Sequence, residues 1–452
     1  MKKHRNLSVL KTFLSRLLNR TERMITELLF RPLIHGETTH LAYRFRMCKT
    51  TRMRNIIRGK VRDLTVKGLG VVDHPDGGVL FVPGAWPGDE GSFMVEWMDN
   101  RYGKASVVEV DVPSMERVMP LCPHQGYGHG ACGGCSWMIG SYESQLRSKE
   151  KIVKHALQRA GFSPGETGLQ PILGAERYWG YRNRAQFKTD GEEIGFVSAA
   201  SHILVPVKDC LVLSDANRRL LYQLRRRLPN PQWRPKGGFL WNFIEIDENS
   251  DPDQLVINER RFFQQANAPQ NEKIKTWLKE QLRRHALSET MLELFAGDGN
   301  LTRAAAAVGF TRIIAVDISG CPAGRKTAMD FPAVRMLETD LYHLPDLHAL
   351  RRHCQSPRIL LLDPPRAGFR YFPRLLNIFP EIQIIYYVSC HLGTFVRDAC
   401  ALRRRQWMLA EVQPLDMFPH TPHIEILSRF EKQGRTSGFR NTDPPVECPE
   451  AG

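Results

Sequence analysis

The chain has 452 residues, of which 42% are hydrophobic and 9% aromatic, enough to bury real cores and, by length, to form about three domains. Its formal net charge is +15, yet residues 1–50 hold eleven Lys and Arg against three Glu and so carry +8 of it. That distribution suits a polyanionic partner met through local patches, such as RNA, better than a uniformly basic coat. No apolar run approaches the roughly 18 residues that cross a bilayer, and ten cysteines scattered from Cys48 to Cys448 resemble no compact disulfide framework. The expectation is a soluble cytoplasmic protein that makes no membrane contact and acts as a monomer.

Residues 7–30 place Leu10, Leu14, Leu17 and Leu18 at helical spacing, with Lys11, Arg16, Arg20 and Arg23 between them. This reads as a basic amphipathic helix ended by Pro32. Residues 1–52 are therefore assigned to a basic extension, with three readings in order of preference: a nonessential or wrongly started segment, an RNA-contacting arm, and an organellar presequence.

From Arg54 to Val110 the period is two, with glycine turns, as in KGLGVVDHPDGGVLFVPGA. Four or five such strands make a small OB-like β-barrel, here bounded at 53–112. The segment GLGVV…GGVLFVPGAWPGDEG resembles a TRAM domain, an RNA-binding barrel attached to several RNA-modifying enzymes. A generic barrel with no ligand is the plainer reading.

A mixed α+β central domain is expected over 113–260. It opens with Cys122, Cys132 and Cys135, three thiols within fourteen residues, among glycines that permit tight turns. Cys210, at the end of a strand-like run, is the best fourth thiol. Zinc and an iron-sulfur cluster both take four thiolates, and the spacing does not choose between them; His124 and His129 are further potential ligands. In the helix that follows, Tyr142, Leu146, Ile152, Val153, Ala156 and Leu157 form the apolar face. Next, Arg182, Arg184 and Lys188 fall on alternate positions of a strand, so they would share a face that is either solvated or turned to phosphates.

From Arg261 to Lys432 the pattern settles into strand and helix alternation, a doubly wound α/β domain of seven strands whose last two form a hairpin. MLELFAGDGN is a strand ending in a glycine turn. Gly297 and Gly299 let a ligand approach the backbone, Asp317 ends the second strand where two ribose hydroxyls would lie, and Asp340 ends the third where an adenine amine would lie. The third glycine of a dinucleotide fingerprint is absent, so S-adenosylmethionine fits better than a pyrophosphate-bearing cofactor. Asp363-Pro364-Pro365-Arg366 ends the fourth strand. The fifth, Ile382 to Val388, delivers Cys390 at its carboxyl end as a candidate nucleophile. The tail 433–452, rich in Pro, Gly, Ser and Thr, is expected to be disordered.

Taken together, CGGC, FFQQAN, LELFAGDGN, LLLDPPRAGF, YYVSCHLGTFVRD and DMFPHTPHIE resemble the RNA uracil-5-methyltransferase family over residues 54–430, with the barrel and CGGC pointing to its 23S ribosomal RNA branch. Residue by residue, the resemblance implies a nucleophile at Cys390, a base at Glu425, and cofactor contacts at Gln265, Phe295, Asn300, Asp317, Asp340 and Asp363. It also implies a [4Fe-4S] cluster on Cys122, Cys132, Cys135 and Cys210. Chemistry agrees: carbon 5 of uracil attacks a sulfonium methyl only after a thiolate adds to carbon 6, and a base must then remove the carbon 5 proton. The target base must also leave its stack, so aromatic neighbours such as Phe263 or Phe418 are expected. Three alternatives stand beside this reading: a transfer RNA substrate, methylation of an exocyclic amine at Asp363-Pro364-Pro365, and an RNA-binding module with an inactive transferase. Two departures from the family are visible. Nine residues separate Cys122 from Cys132 where about five are usual, and His391-Leu392 replaces Asn-Pro after the nucleophile. A charged His391 would lower the thiol pKa.

Overall fold

The computed structural model describes residues 55–163, 165–199, 201–261, 264–318 and 331–433. The basic segment at 7–30, Phe263 and the tail beyond Gln433 lie outside them.

The period-two segment forms β1 (Ile56–Leu64), β2 (Gly70–Asp73), β3 (Val79–Val82), β4 (Glu90–Met98) and β5 (Tyr102–Val112), which close into a barrel in the order β1-β2-β3-β5-β4. Alternate residues face inward, so Val61, Val72, Leu80, Val82, Phe93 and Ala105 fill the interior. The turn between β1 and β2 leaves the barrel and packs on distant parts of the chain. At Gly68 (φ +79°) an added Cβ would lie 2.5 Å from the Trp137 indole nitrogen and 2.8 Å from Pro422.

In the central segment, helix α1 (Tyr142–Arg159) is capped by Ser141, whose side chain accepts the Ser144 N–H. Ile152, Val153 and Leu157 are buried as the apolar face requires, but Ser144, Gln145 and Lys149 are buried as well. A four-stranded antiparallel sheet follows, in the order β8 (Leu204–Pro206), β7 (Ile194–Val197), β6 (Arg184–Thr189), β9 (Asn242–Asp247), covered by α2 (Asp215–Arg225). Arg184 is not a free phosphate ligand: its guanidinium holds Glu245 at 2.6 Å, with both side chains largely buried.

Helix α3 (Ala268–Leu282) leads into the large sheet. Its strands are β10 (Met291–Leu294), β11 (Ile313–Asp317), β12 (Val334–Glu338), β13 (Ile359–Leu362), β14 (Ile384–Ser389), β15 (Trp407–Leu415) and β16 (Glu425–Lys432), in the order β12-β11-β10-β13-β14-β16-β15. The first five run parallel; β16 is antiparallel to both β14 and β15. The expected seven-stranded doubly wound sheet and its terminal hairpin are thus present. Every residue of β10 and β13 is buried, because helices cover both faces of a parallel sheet. Successive residues alternate between two cores: Leu360, Leu362, Ile385 and Tyr387 enter one, Leu361, Tyr386 and Val388 the other. Strand order reverses at β10, which opens a crevice at the carboxyl ends of β10 and β13.

Candidate active site

Phe295, the first residue after β10, sits at φ +61°, a conformation that costs a bulky residue about 1–3 kcal/mol and persists only where its surroundings impose it. Here they do. Its ring packs on Tyr342 (centroids 5.7 Å apart) and Phe369 (5.5 Å). The Tyr342 hydroxyl donates to Gly368 O (3.0 Å), tying this wall to the loop after β13. Gly297 follows at φ +57°, with open space where a Cβ would stand, and its N–H donates to Asp317 Oδ2 at 2.9 Å. Asp340 Oδ1 accepts the Tyr342 N–H (2.8 Å). Asp317 and Asp340 therefore flank one glycine turn and its aromatic wall. Asn300, first residue of α4 (Asn300–Ala306), exchanges two 2.9 Å hydrogen bonds with Asn271 of α3, so its amide braces two helices. Gln265 is half-buried, and its backbone carbonyl accepts from Asn183 Nδ2 (3.1 Å).

The loop after β13 carries Asp363; helices α5 (Leu344–Ala349) and α6 (Phe372–Ile378) flank it in the chain, and it is held in place by α7 (Leu392–Arg403), the helix that follows Cys390. Arg366 O accepts from the Thr394 hydroxyl (3.1 Å), Ala367 O from Arg397 (2.8 Å), and the Phe369 N–H donates to buried Asp398 (2.8 Å). The Tyr387 hydroxyl donates to the same carboxylate (2.9 Å). The loops bearing Asp363 and Cys390 are thereby fixed to each other.

The β14–β16 ladder ends with Ser389 opposite Ile426, so the same register places Cys390 opposite Glu425 one step further on. Residues paired in this way project to one face, with Cβ atoms about 4.5–5.5 Å apart. Their electrostatics agree. Burial pushes the half-buried Cys390 thiol up to about 11, with the Glu425 and Asp363 carboxylates adding to the shift and Arg366 opposing it. Burial also raises Glu425 well above the usual carboxylate range, and Asp363 adds to it; Asp363 itself rises to about 7 by burial. The structure thus brings together a thiol and two carboxyls in a desolvated pocket beside the glycine turn. Such a set can add a sulfur nucleophile to a substrate carbon and remove a proton from its neighbour.

The four expected metal ligands come from two segments that meet. Cys132 N donates to His124 O (2.7 Å) within the first loop, and a Cβ on Gly133 would lie 2.3 Å from Ala199 Cβ on the way to Cys210. Burial pushes the Cys135 thiol up to about 12, and the nearby Cys210 and Cys132 add to this. Burial likewise raises Cys210 to about 11 and raises Cys132. Among the described residues no three His, Cys, Asp or Glu side chains converge closely enough to hold a single metal ion.

No family model matches the chain. An RNA methyltransferase of Nitrosomonas europaea is 39% identical over 380 residues, spanning 83% of this chain and 97% of that protein. The 23S rRNA (uracil(1939)-C(5))-methyltransferase RlmD of Dichelobacter nodosus is 31% identical over 420 residues, spanning 81% of this chain and 96% of that protein. This chain belongs to the RNA uracil-5-methyltransferase family. Its fold is that of the Pyrococcus abyssi tRNA (uracil-54, C5)-methyltransferase solved with S-adenosyl-L-homocysteine, with a TM-score of 0.58 at 22% identity over 83% of this chain and 100% of that one.

Within this uracil-5-methyltransferase fold, His391 differs from its sequence-based reading. Its Nδ1 accepts the Thr394 N–H (3.2 Å) and so caps α7. Burial, with Arg366, Arg397 and Lys67 nearby, lowers its pKa. The ring is therefore a neutral acceptor and not a cation that would ionise Cys390. Sequence reasoning missed Glu293. It is fully buried on β10, and burial pushes its carboxyl up to about 8, with Asp363 adding to the shift. The signal was an acid inside the otherwise apolar run Met-Leu-Glu-Leu. Phe418, expected near a flipped base, makes an edge contact with His423 (6.0 Å) on the loop before Glu425.

Proposed function

We propose that this chain methylates carbon 5 of a uridine in RNA, with 23S ribosomal RNA as the substrate, acting as a cytoplasmic monomer. The observation that carries this reading is the register that sets Cys390 opposite Glu425 beside Asp363; an exocyclic-amine transferase would leave that thiol idle. The two relatives are of full length and include a 23S rRNA uracil-C5-methyltransferase, which supports the ribosomal substrate.

S-adenosylmethionine supplies an electrophilic methyl group. Gly297, Phe295, Asp317 and Asp340 form the cradle for it, with Gln265, Asn300 and Asp363 at its edges. Cys390 sulfur bonds to carbon 6, and the electron pair of the 5,6 double bond moves into an enolate. The enolate leaves carbon 5 nucleophilic toward the methyl group that the bound cofactor would supply. Glu425, as carboxylate, removes the carbon 5 proton; the carbon 6 to sulfur bond breaks, the double bond returns and Cys390 leaves as thiolate.

Cys122, Cys132, Cys135 and Cys210 would hold a [4Fe-4S] cluster, which would offset the burial that raises Cys132, Cys135 and Cys210. Zinc, which also takes four thiolates, is the less favoured alternative occupant. The barrel acts as a TRAM-like RNA contact. Mapping of 5-methyluridine in ribosomal and transfer RNA of a deletion strain tests the proposal: loss at one 23S position, restored by the wild-type chain and not by Cys390→Ala, is expected. Loss confined to transfer RNA would reassign the substrate, and a methyl group found on nitrogen would sink the mechanism.

A further inference from the structure

The loop from Asp416 to Ile424 joins β15 to β16 and ends at Glu425. Five successive carbonyls in it are each met by a group from elsewhere in the chain. Asp416 O accepts from Gln270 Nε2 (2.8 Å), Met417 O from Asn267 Nδ2 (3.1 Å), Phe418 O from Lys149 Nζ (3.3 Å), Pro419 O from the Tyr181 hydroxyl (3.2 Å) and His420 O from Trp137 N–H (2.8 Å). The His420 N–H donates to Gln145 Oε1 (2.8 Å). His420 stands at φ +65°, which a non-glycine residue holds only under such external constraint. Lys149, Gln145, Tyr181 and Trp137 all belong to the central segment, so that segment acts as a template on which the loop is shaped.

At the centre lies an ion pair with no solvent access. Lys149 Nζ is 2.5 Å from Asp416 Oδ1, both side chains are fully buried, and the Tyr142 hydroxyl donates to Asp416 Oδ2 (2.9 Å). Desolvation offsets most of the Coulomb attraction in such a pair, and apolar replacements of similar volume are often as stable. A pair of this kind does more to specify geometry than to hold the fold together. Its place in the chain shows which geometry: Lys149 grips the Asp416 side chain and the Phe418 carbonyl, and the Gly68 turn of the barrel packs on Pro422 at the loop's far end.

We infer that Lys149 is a positioning residue for proton abstraction: through Asp416 and Phe418 it sets the loop that aims Glu425 at carbon 5. This rests on the proposed uracil-5 chemistry. It predicts a defect confined to the last step, since addition of Cys390 and methyl transfer precede the use of Glu425. A base displaced by about 1 Å costs about 100-fold.

The test uses the full chain and RNA carrying tritium at carbon 5 of uridine, and compares methyl incorporation, tritium release and the SDS-resistant protein–RNA adduct. Wild type is expected to release one tritium per methyl with little adduct. Lys149→Met, and the double variant Lys149→Met/Asp416→Leu that removes both charges together, are expected to release tritium 10- to 100-fold more slowly than wild type while the adduct accumulates. The KM for the methyl donor should stay unchanged, and the double variant should melt within a few degrees of wild type. Tyr142→Phe keeps the ion pair and removes only the hydroxyl that donates to Asp416 Oδ2 and accepts from the Ala175 N–H, so it should show a smaller lag of the same kind. Tritium release that keeps pace with methylation, without adduct, in every folded variant would overturn the inference. If wild type itself methylates without releasing tritium, the uracil-5 reading fails instead.

Discussion

Cys390 and Glu425 lie one step beyond the last pair of the β14–β16 ladder, Ser389 with Ile426, and the Glu425 carboxylate is near enough to help raise the Cys390 thiol. The proposed nucleophile and the proposed base, 35 positions apart in the chain, thus meet at the carboxyl end of β14. The ladder brings the two strand ends together, and the loop from Asp416 to Ile424 leads into Glu425.

The pair predicts opposite failures. Cys390→Ala removes covalent activation and should lower methylation by about 10³-fold or more, with no adduct. Glu425→Gln leaves addition and methylation intact and should lower turnover by about 10²–10⁴-fold while trapping an SDS-resistant complex with RNA. Gel analysis of the two variants checks this; adduct formation by Cys390→Ala would refute the assignment.

His391 predicts a separation of stability from titration. His391→Ala removes the α7 cap and should cost about 1 kcal/mol, whereas His391→Asn restores an acceptor and should recover it. The lowered pKa of His391 means that its contribution is present above the ordinary histidine range and is lost as pH falls through the folded value. Melting curves in the mildly acidic range should therefore converge for His391→Ala and wild type, and stay higher for His391→Asn.

Rate and stability should move in opposite directions with pH. The proposed mechanism uses Cys390 as thiolate and Glu425 as carboxylate, and burial disfavours both charged forms. With Asp363 at about 7 and Cys390 at about 11, kcat/KM should rise with pH through 7 and keep rising, with no falling limb from these groups. Raised carboxyl pKa values act the other way on folding. The folded chain keeps protons on Asp363 and Glu293 that the unfolded chain releases, so their contribution is full below the ordinary carboxyl range. It fades as pH rises through about 7 and about 8. A pH–rate profile and melting curves without ligand measure the two trends; a rate that falls above neutrality would contradict the first.

Asp317→Ala should weaken S-adenosylmethionine binding by about 10- to 100-fold, a loss of roughly 1–3 kcal/mol for charge-assisted hydrogen bonds. It also frees the Gly297 N–H that Asp317 now holds. Calorimetry with S-adenosyl-L-homocysteine measures the loss. Unchanged affinity would remove Asp317 from the cradle.

Much of this was legible in the chain. The apolar run into Cys390, the glycine turn after β10 and the period-two barrel are local patterns, and local patterns report faces and ends of elements. What stayed hidden is long-range. Nothing in the helix pattern marks Lys149, because its partner, Asp416, lies 267 positions away. Arg184 reads as either solvated or turned to phosphates until Glu245 is placed beside it. His391 reads as a titratable group beside the thiol, and its capping role is hidden because it depends on which way the ring turns. Side chain to backbone bonds between distant segments leave no periodicity to find.

The thiol site predicts iron. Cys135 and Cys210, raised by burial to about 12 and about 11, and Cys132, also raised, are protonated at neutral pH unless a cation draws the charge out of them. Cys132 sits in the loop that continues through Cys135 to Trp137, whose N–H holds His420 O, so the site adjoins the loop that leads to Glu425. Protein purified without oxygen should be brown, with about four irons per chain. Cys135→Ser should lose the colour and also lower the melting temperature, because the Trp137 strap loses its anchor. A colourless protein with one zinc would overturn the cluster while leaving Cys390 and Glu425 in their roles, since neither touches the thiol site.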